Sequence, residues 1–96
     1  MLTGKQRSYL KSLSNGLHST LIIGKEGVTK NTLKELEDQL TANELVKMTF
    51  LDTAGVDPED EVDQLLELLD AEFVSHLGSK LVIYRSSRNA KIQLPK

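Results

Sequence analysis

The stretch Ile22-Ile23-Gly24-Lys25-Glu26-Gly27-Val28-Thr29 sets two glycines three positions apart, between an apolar β-branched run and an amphipathic helical pattern. Glycine has no Cβ, so it accepts φ > 0 and lets another molecule approach the main chain closely. A helix starting directly behind such a loop contributes unpaired N–H groups and the positive end of its dipole. Strand, glycine loop and helix in that order call for a layered α/β arrangement with a corner suited to phosphate. By itself a G-x-x-G is also a plain strand-to-helix turn, so its meaning rests on its surroundings.

Those surroundings are regular. Thr3 and Gln6 have the spacing of a capping box, and Leu10, Leu13 and Leu17 recur as one stripe, which predicts a first helix over residues 3–14. Asn15-Gly16 is expected to end it in the left-handed conformation. Residues 20–23 read as a buried central strand. Thr29 is the expected N-cap of a second helix, with Val28 and Leu33 as its hydrophobic staple and Leu33, Leu36 and Leu40 as its apolar stripe. Residues 44–51 predict a strand with Val46, Met48 and Phe50 on one face, after which residues 52–55 leave the sheet. Asp57 as N-cap and Pro58 at the first position open a third helix that buries Val62, Leu65, Leu66 and Leu69. Residues 73–77 and 81–84 predict a hairpin around Gly78, and residues 85–96 a basic, partly extended tail. The expected fold class is α/β, one compact layered domain over residues 1–96 in the order α-β-α-β-α-β-β, with a four-stranded mixed sheet.

With 96 residues, 39% of them apolar, the chain has room for one modest core and not for a large enclosed cavity. The absence of cysteine excludes disulfides, thiolate metal sites and a cysteine nucleophile. No apolar run has the length of a signal core or a membrane span, so a soluble cytoplasmic protein is expected. The net charge of −2 hides a strong sorting. Residues 1–51 carry seven Lys/Arg and five Asp/Glu, residues 52–72 none and nine, and residues 73–96 five and none. Phosphate binding depends on a local patch, because charges more than about 8–10 Å apart are screened in physiological salt. The acidic block is expected on the far side from the basic one, where it would turn a polyanion away.

Taken together, Leu2-Thr3-Gly4-Lys5-Gln6-Arg7, residues 23–29, Glu44-Leu45-Val46-Lys47 and residues 78–85 resemble the CRM domain of chloroplast RNA splicing and ribosome maturation proteins, in its stand-alone bacterial YhbY form. The likeness runs nearly end to end, with the blocks in the family's order and spacing. It implies a fold similar to the C-terminal domain of translation initiation factor three, RNA binding through the glycine loop, and association with precursors of the large ribosomal subunit. The chain departs from the family over residues 14–20, where an Ala-His pair and a proline are usual.

The candidate RNA-binding residues are Gly24, Lys25, Gly27, Lys30 and Lys34, with Lys5, Arg7, Arg85 and Arg88 as outlying basic groups beside Lys11 and Lys91. Glu26 is left out, since a carboxylate would repel a phosphate. Phosphates are expected against the N–H groups of residues 27–30, with the lysines adding attraction and little sequence information. Aromatics are 4% of the chain, so no stacking platform is evident; Tyr9 and Tyr84 are expected at core edges. Glu59, Asp60, Asp63 and Glu67 read as a solvated helix face with no loop to wrap a metal. His18 and His76 lack metal-ligand spacing, and Ser75 and His76 would point to opposite strand faces, so no nucleophile–base pair forms. The expectation is a monomeric, non-enzymatic protein without cofactor, whose partner is ribosomal precursor RNA and whose further contacts are ribosomal proteins. A protein-interaction adaptor working through the acidic third helix is the rival.

Overall fold

The computed structural model describes residues 2–55, 58–87 and 92–95. The expected N-cap Asp57 and the basic residues Arg88 and Lys91 lie outside them. The elements in chain order are α1 (Gly4–Ser14), β1 (Leu21–Ile23), α2 (Lys30–Asn43), β2 (Leu45–Phe50), a short 3-10 turn (Asp52–Ala54), α3 (Pro58–Leu69), β3 (Glu72–Leu77) and β4 (Lys80–Tyr84). The strands form one mixed sheet in the order β1-β2-β4-β3, with β1 parallel to β2 and the other two pairings antiparallel. Among the described residues, no helix is long and apolar enough to cross a membrane.

Alternation along the central strands divides the core in two. Val46, Met48, Phe50, Leu81 and Ile83 face α2 and α3, where they meet Leu36, Leu40, Leu65 and Leu69. Leu45, Val82 and Tyr84 face the other way, toward Leu2 and Leu10 and the partly buried Ile92 and Leu94. Strands covered on both faces carry apolar residues at nearly every position, as Leu81-Val82-Ile83-Tyr84 do.

Both expected caps form. Thr3 Oγ1 accepts from the Gln6 N–H while Gln6 Oε1 accepts from the Thr3 N–H, and Thr29 pairs in the same way with Thr32. Val28 and Leu33 pack together against the α2–α3 core, as a staple requires. Other expectations are corrected. Asn15 has φ −62 and Gly16 is not among the positive-φ glycines. α1 instead tightens into short turns, Gly16 N–H to Leu13 O and Leu17 N–H to Ser14 O, and the Lys47 ammonium donates to the carbonyl of Ser14, its last residue, and to that of Leu17 beyond it. β1 is an edge strand and not a central one. Among the described residues it pairs only with β2, and Ile22 stays 61% exposed because α1 packs chiefly over β2, β3 and β4. Leu13 and Leu17 are half-exposed for the same reason, beside Leu45 and Ile92. Of the two tyrosines expected at core edges, Tyr84 is buried within the core and Tyr9 is 40% exposed.

A further correction concerns residue 44. Glu44 does not open β2. It ends α2 at φ 68, its N–H donating to Leu40 O, and its side chain is fully buried. The carboxylate accepts from the N–H groups of Ser87 (2.7 Å) and Ile92 (2.9 Å), and its carbonyl accepts from the Arg85 N–H. Of the residues expected as a partly extended tail, Ile92 and Leu94 pack on the α1 side, where Gln6 Nε2 also donates to Pro95 O. Burying a carboxylate is costly unless its oxygens are hydrogen-bonded, and backbone N–H groups meet that need.

Removing the carboxylate leaves those N–H groups unpaired. Glu44→Ala is expected to cost about 2–4 kcal/mol in urea unfolding and to strip hydrogen-exchange protection from the Ser87 and Ile92 amides. Burial, and secondarily the charges of Glu44 and Glu72, raise the Tyr84 phenol above its ordinary pKa of 10.0. The native state therefore holds this proton more tightly than the unfolded chain. The stability tied to it is complete below about pH 10 and falls as pH rises toward the folded value. Tyr84→Phe should flatten that alkaline limb of stability against pH.

Candidate nucleic-acid interface

The topology gathers several loops at one end of the sheet. β1 and β2 both end there, with Leu51 N–H donating to Ile23 O and Phe50 N–H to Ser79 O of the β3–β4 turn. A hollow at that end is lined by Leu51, Asp52, Gly55, Pro58 and Ser79, among others. α2 and α3 each follow one of these strand ends and run back along the same face of the sheet. Their N-termini thus share the end that carries the glycine turn.

Residues 24–27 form a β-turn closed by the Gly27 N–H donating to Gly24 O at 2.9 Å. Lys25 and Glu26 sit exposed at its tip. The two glycines differ in why they are there. Gly27 has φ 66, a conformation that side chains resist. Gly24 is not among the positive-φ residues, and a Cβ built on it would meet nothing nearer than the Leu51 side chain at 3.9 Å. The fold therefore requires glycine at 27 and would accept alanine at 24.

The N–H groups expected to face phosphate over residues 27–30 are only partly free. That of Gly27 closes the turn, and that of Thr29 donates to Thr32 Oγ1. Those of Val28, Lys30 and Asn31 have no partner among the described residues. Around them stand Lys25, Lys30 and Lys34, all exposed. Glu35, Glu37 and Asp38 fall farther along α2, which makes its start the basic end.

The outlying basic groups do not join this cluster. Arg85 follows β4 at the opposite end of the sheet, about 17 Å away along the five steps of β2 at roughly 3.3 Å per residue. Its guanidinium pairs with Glu37 Oε2 at 2.9 Å and donates to Leu69 O, Glu37 O and Thr41 Oγ1, tying the C-terminal turns of α2 and α3 together. Arg7 is half-buried with Nε donating to Phe73 O, and Lys5, two residues earlier on α1, is exposed. The acidic block is not on the far face either. α3 lies beside α2 against one core, with Glu59, Asp60 and Glu61 in its first turn. Among the described residues, no group of three His, Asp or Glu side chains is placed to hold a metal ion. His76 Nε2 is engaged with Gly78 O. Two lysines passed over in the sequence, Lys47 and Lys80, lie on the α1 side of the sheet.

A strand, a glycine turn and a capped helix mounted on the edge of a mixed sheet define a small α/β domain with an open basic corner. The chain belongs to the CRM family: the model of the CRS1/YhbY (CRM) domain matches residues 2–85. It is similar to "Probable RNA-binding protein YqeI" of Bacillus subtilis, 34% identical over 99% of this chain and all of that one. A Haemophilus influenzae chain named "RNA-binding protein" is 36% identical over 99% of this chain and 96% of its own length. The solution structure of a Staphylococcus aureus protein, SAV1595, with a proposed RNA-binding role superposes with a TM-score of 0.73 at 38% identity, covering 99% of this chain and 100% of that one.

The contrast between the glycines is measurable. Gly27→Ala should lose about 1–2 kcal/mol from strain at positive φ, whereas Gly24→Ala should stay within about 0.5 kcal/mol of the parent in denaturant unfolding.

Proposed function

We propose that this chain binds RNA without catalysing a reaction, that its ligand is structured precursor RNA of the large ribosomal subunit, and that it acts in the cytoplasm as a monomer during assembly of that subunit. Membership of the CRM family and the names of its relatives support RNA as the ligand class. The subunit follows from the family likeness. The observation that carries the binding mode is Gly24, a glycine that the fold does not need, standing beside three unpaired N–H groups and three exposed lysines. A missing Cβ where no neighbour demands it is accounted for by a ligand that comes close to the backbone. The turn holds its shape through its own hydrogen bond, so little ordering cost falls on binding.

In this mechanism the phosphate backbone lies along the start of α2, against the N–H groups of Val28, Lys30 and Asn31. Lys25, Lys30 and Lys34 supply charge, and Glu26 turns to solvent. Arg85 and Arg7 serve the frame of the domain, Lys5 remains a peripheral contact, and Arg88 is left as a candidate from the sequence alone. Recognition then follows RNA shape more than base identity. The acidic first turn of α3 beside the corner repels strands that approach from that side and so sets the direction of entry.

The test titrates the protein into labelled large-subunit RNA fragments across a salt series, beside Lys25→Glu/Lys34→Glu and Gly24→Ala variants checked for folding. The parent should lose affinity with salt at a log–log slope of roughly −0.7 to −0.9 per phosphate neutralised. The double variant should bind at least tenfold more weakly with a shallower slope, and Gly24→Ala should weaken binding at unchanged stability. Binding that survives all three substitutions would move the interface away from the turn, and dependence on Asp60, Asp63 and Glu67 instead would favour the adaptor.

A further inference from the structure

The side of the sheet that carries α1 has its own concentration of positive charge. Lys11 from α1, Lys47 from β2 and Lys80 from β4 line one hollow together with Ser14, Asn15 and Ser75, and no carboxylate lines it. We propose that this hollow is a second phosphate-binding groove for the same RNA, an inference that rests on the RNA-binding reading and extends it to another face of the domain.

Three ammonium groups brought together by three separate elements repel one another, and an anion between them relieves that repulsion. The groove wall is apolar in part, through Leu77 and Val82, and low-dielectric walls concentrate the field of the charges they enclose. Lys47 is held in place, its Nζ donating to Ser14 O at 3.2 Å and Leu17 O at 3.3 Å. Its charge is therefore fixed before any ligand arrives, with little rotamer freedom left to lose. Lys11 and Lys80 are exposed and free to close on a phosphate from either side. The side chains of Asn15 and Ser75 have no partner among the described residues and supply neutral donors of the kind that phosphate oxygens accept from.

Register relates this groove to the glycine turn. Lys80 pairs with Thr49, Thr49 pairs with Ile22, and Ile22 stands two residues before Gly24. The two sites are thus at the same end of the sheet, separated by two strand spacings of roughly 4.8 Å and facing opposite sides of it. A single extended strand on one face would meet one of them. An RNA whose backbone wraps round the β1 edge, as folded RNA can, meets both. The exposed Ile22 on that path offers an apolar contact without obstructing it.

The experiment compares a labelled RNA hairpin binding to the parent, to Lys11→Gln/Lys80→Gln and to Lys25→Glu/Lys34→Glu over a salt series. Lys47 is left intact because it also caps α1. The groove variant should keep its urea midpoint, bind several-fold more weakly, and show a log–log salt slope shallower by about 1–2. In NMR titrations of the parent, the Asn15 and Ser75 amides should shift with the hairpin well below the concentrations at which inorganic phosphate moves them. An unchanged slope in the groove variant, with the glycine-turn variant impaired, would overturn the second groove and leave the first site standing. Equal response of the Asn15 and Ser75 amides to inorganic phosphate and to hairpin would also overturn it, as the mark of a free-anion site. Salt-independent or absent hairpin binding by the parent would overturn both readings.

Discussion

A single buried carboxylate holds three parts of this molecule in register. Glu44 ends α2 at φ 68, passes the chain directly into β2, and uses its side chain to gather the N–H groups of Ser87 and Ile92. That ligation works together with the packing of Ile92 and Leu94 on the α1 side of the core. The charge is tolerated because backbone donors replace water around it. Its position also fixes where Arg85 emerges from β4, since the Arg85 N–H bonds to the Glu44 carbonyl.

The domain has two working ends with opposite chemistry. At one, helix C-termini are drawn together by Arg85, whose charge offsets the negative ends of α2 and α3 and the acidic residues late in α2. At the other, helix N-termini are left open, with lysines around one and acids around its neighbour. The frame is spent on the first end, which leaves the second for solvent and ligand. Among the described residues the basic side chains divide on the same line: Arg7, Lys47 and Arg85 are bonded to carbonyls or a carboxylate within the frame, and the others lie near the glycine turn and beside α1.

Much of this was written in local sequence. Thr3 with Gln6, Thr29 with Val28 and Leu33, and Pro58 each marked a helix start through chemistry confined to a few residues. Period-two alternation correctly assigned Val46, Met48 and Phe50 to one face. Failures arose where the answer lay in another element. Leu21-Ile22-Ile23 reads as a strand covered twice, and only the reach of α1 decides that it lies at an edge. Glu44 gave no signal, because a charged residue at a helix–strand junction is ordinarily exposed and its partners are 43 and 48 residues away. Arg85 looked like a surface cation for the same reason. Lys47 was accessible in principle: Leu45, Lys47 and Thr49 alternate with the core positions of β2, so a lysine flanked by Leu and Thr on that face announces a sheet surface only partly covered.

The strand order also bears on how the chain acquires its structure. Among the described residues β4 is the last strand, lies between β2 and β3, and is the only strand that β3 pairs with. Arg85, which follows it, is what ties the ends of α2 and α3. A chain emerging residue by residue can form α1 and the β1-α2-β2 unit early, but β3 has nothing to pair with and the helix ends stay apart until β4 inserts. Consolidation therefore waits until β4 has been made, and the domain is expected to close in one cooperative event, not to accumulate in stages from its first helix.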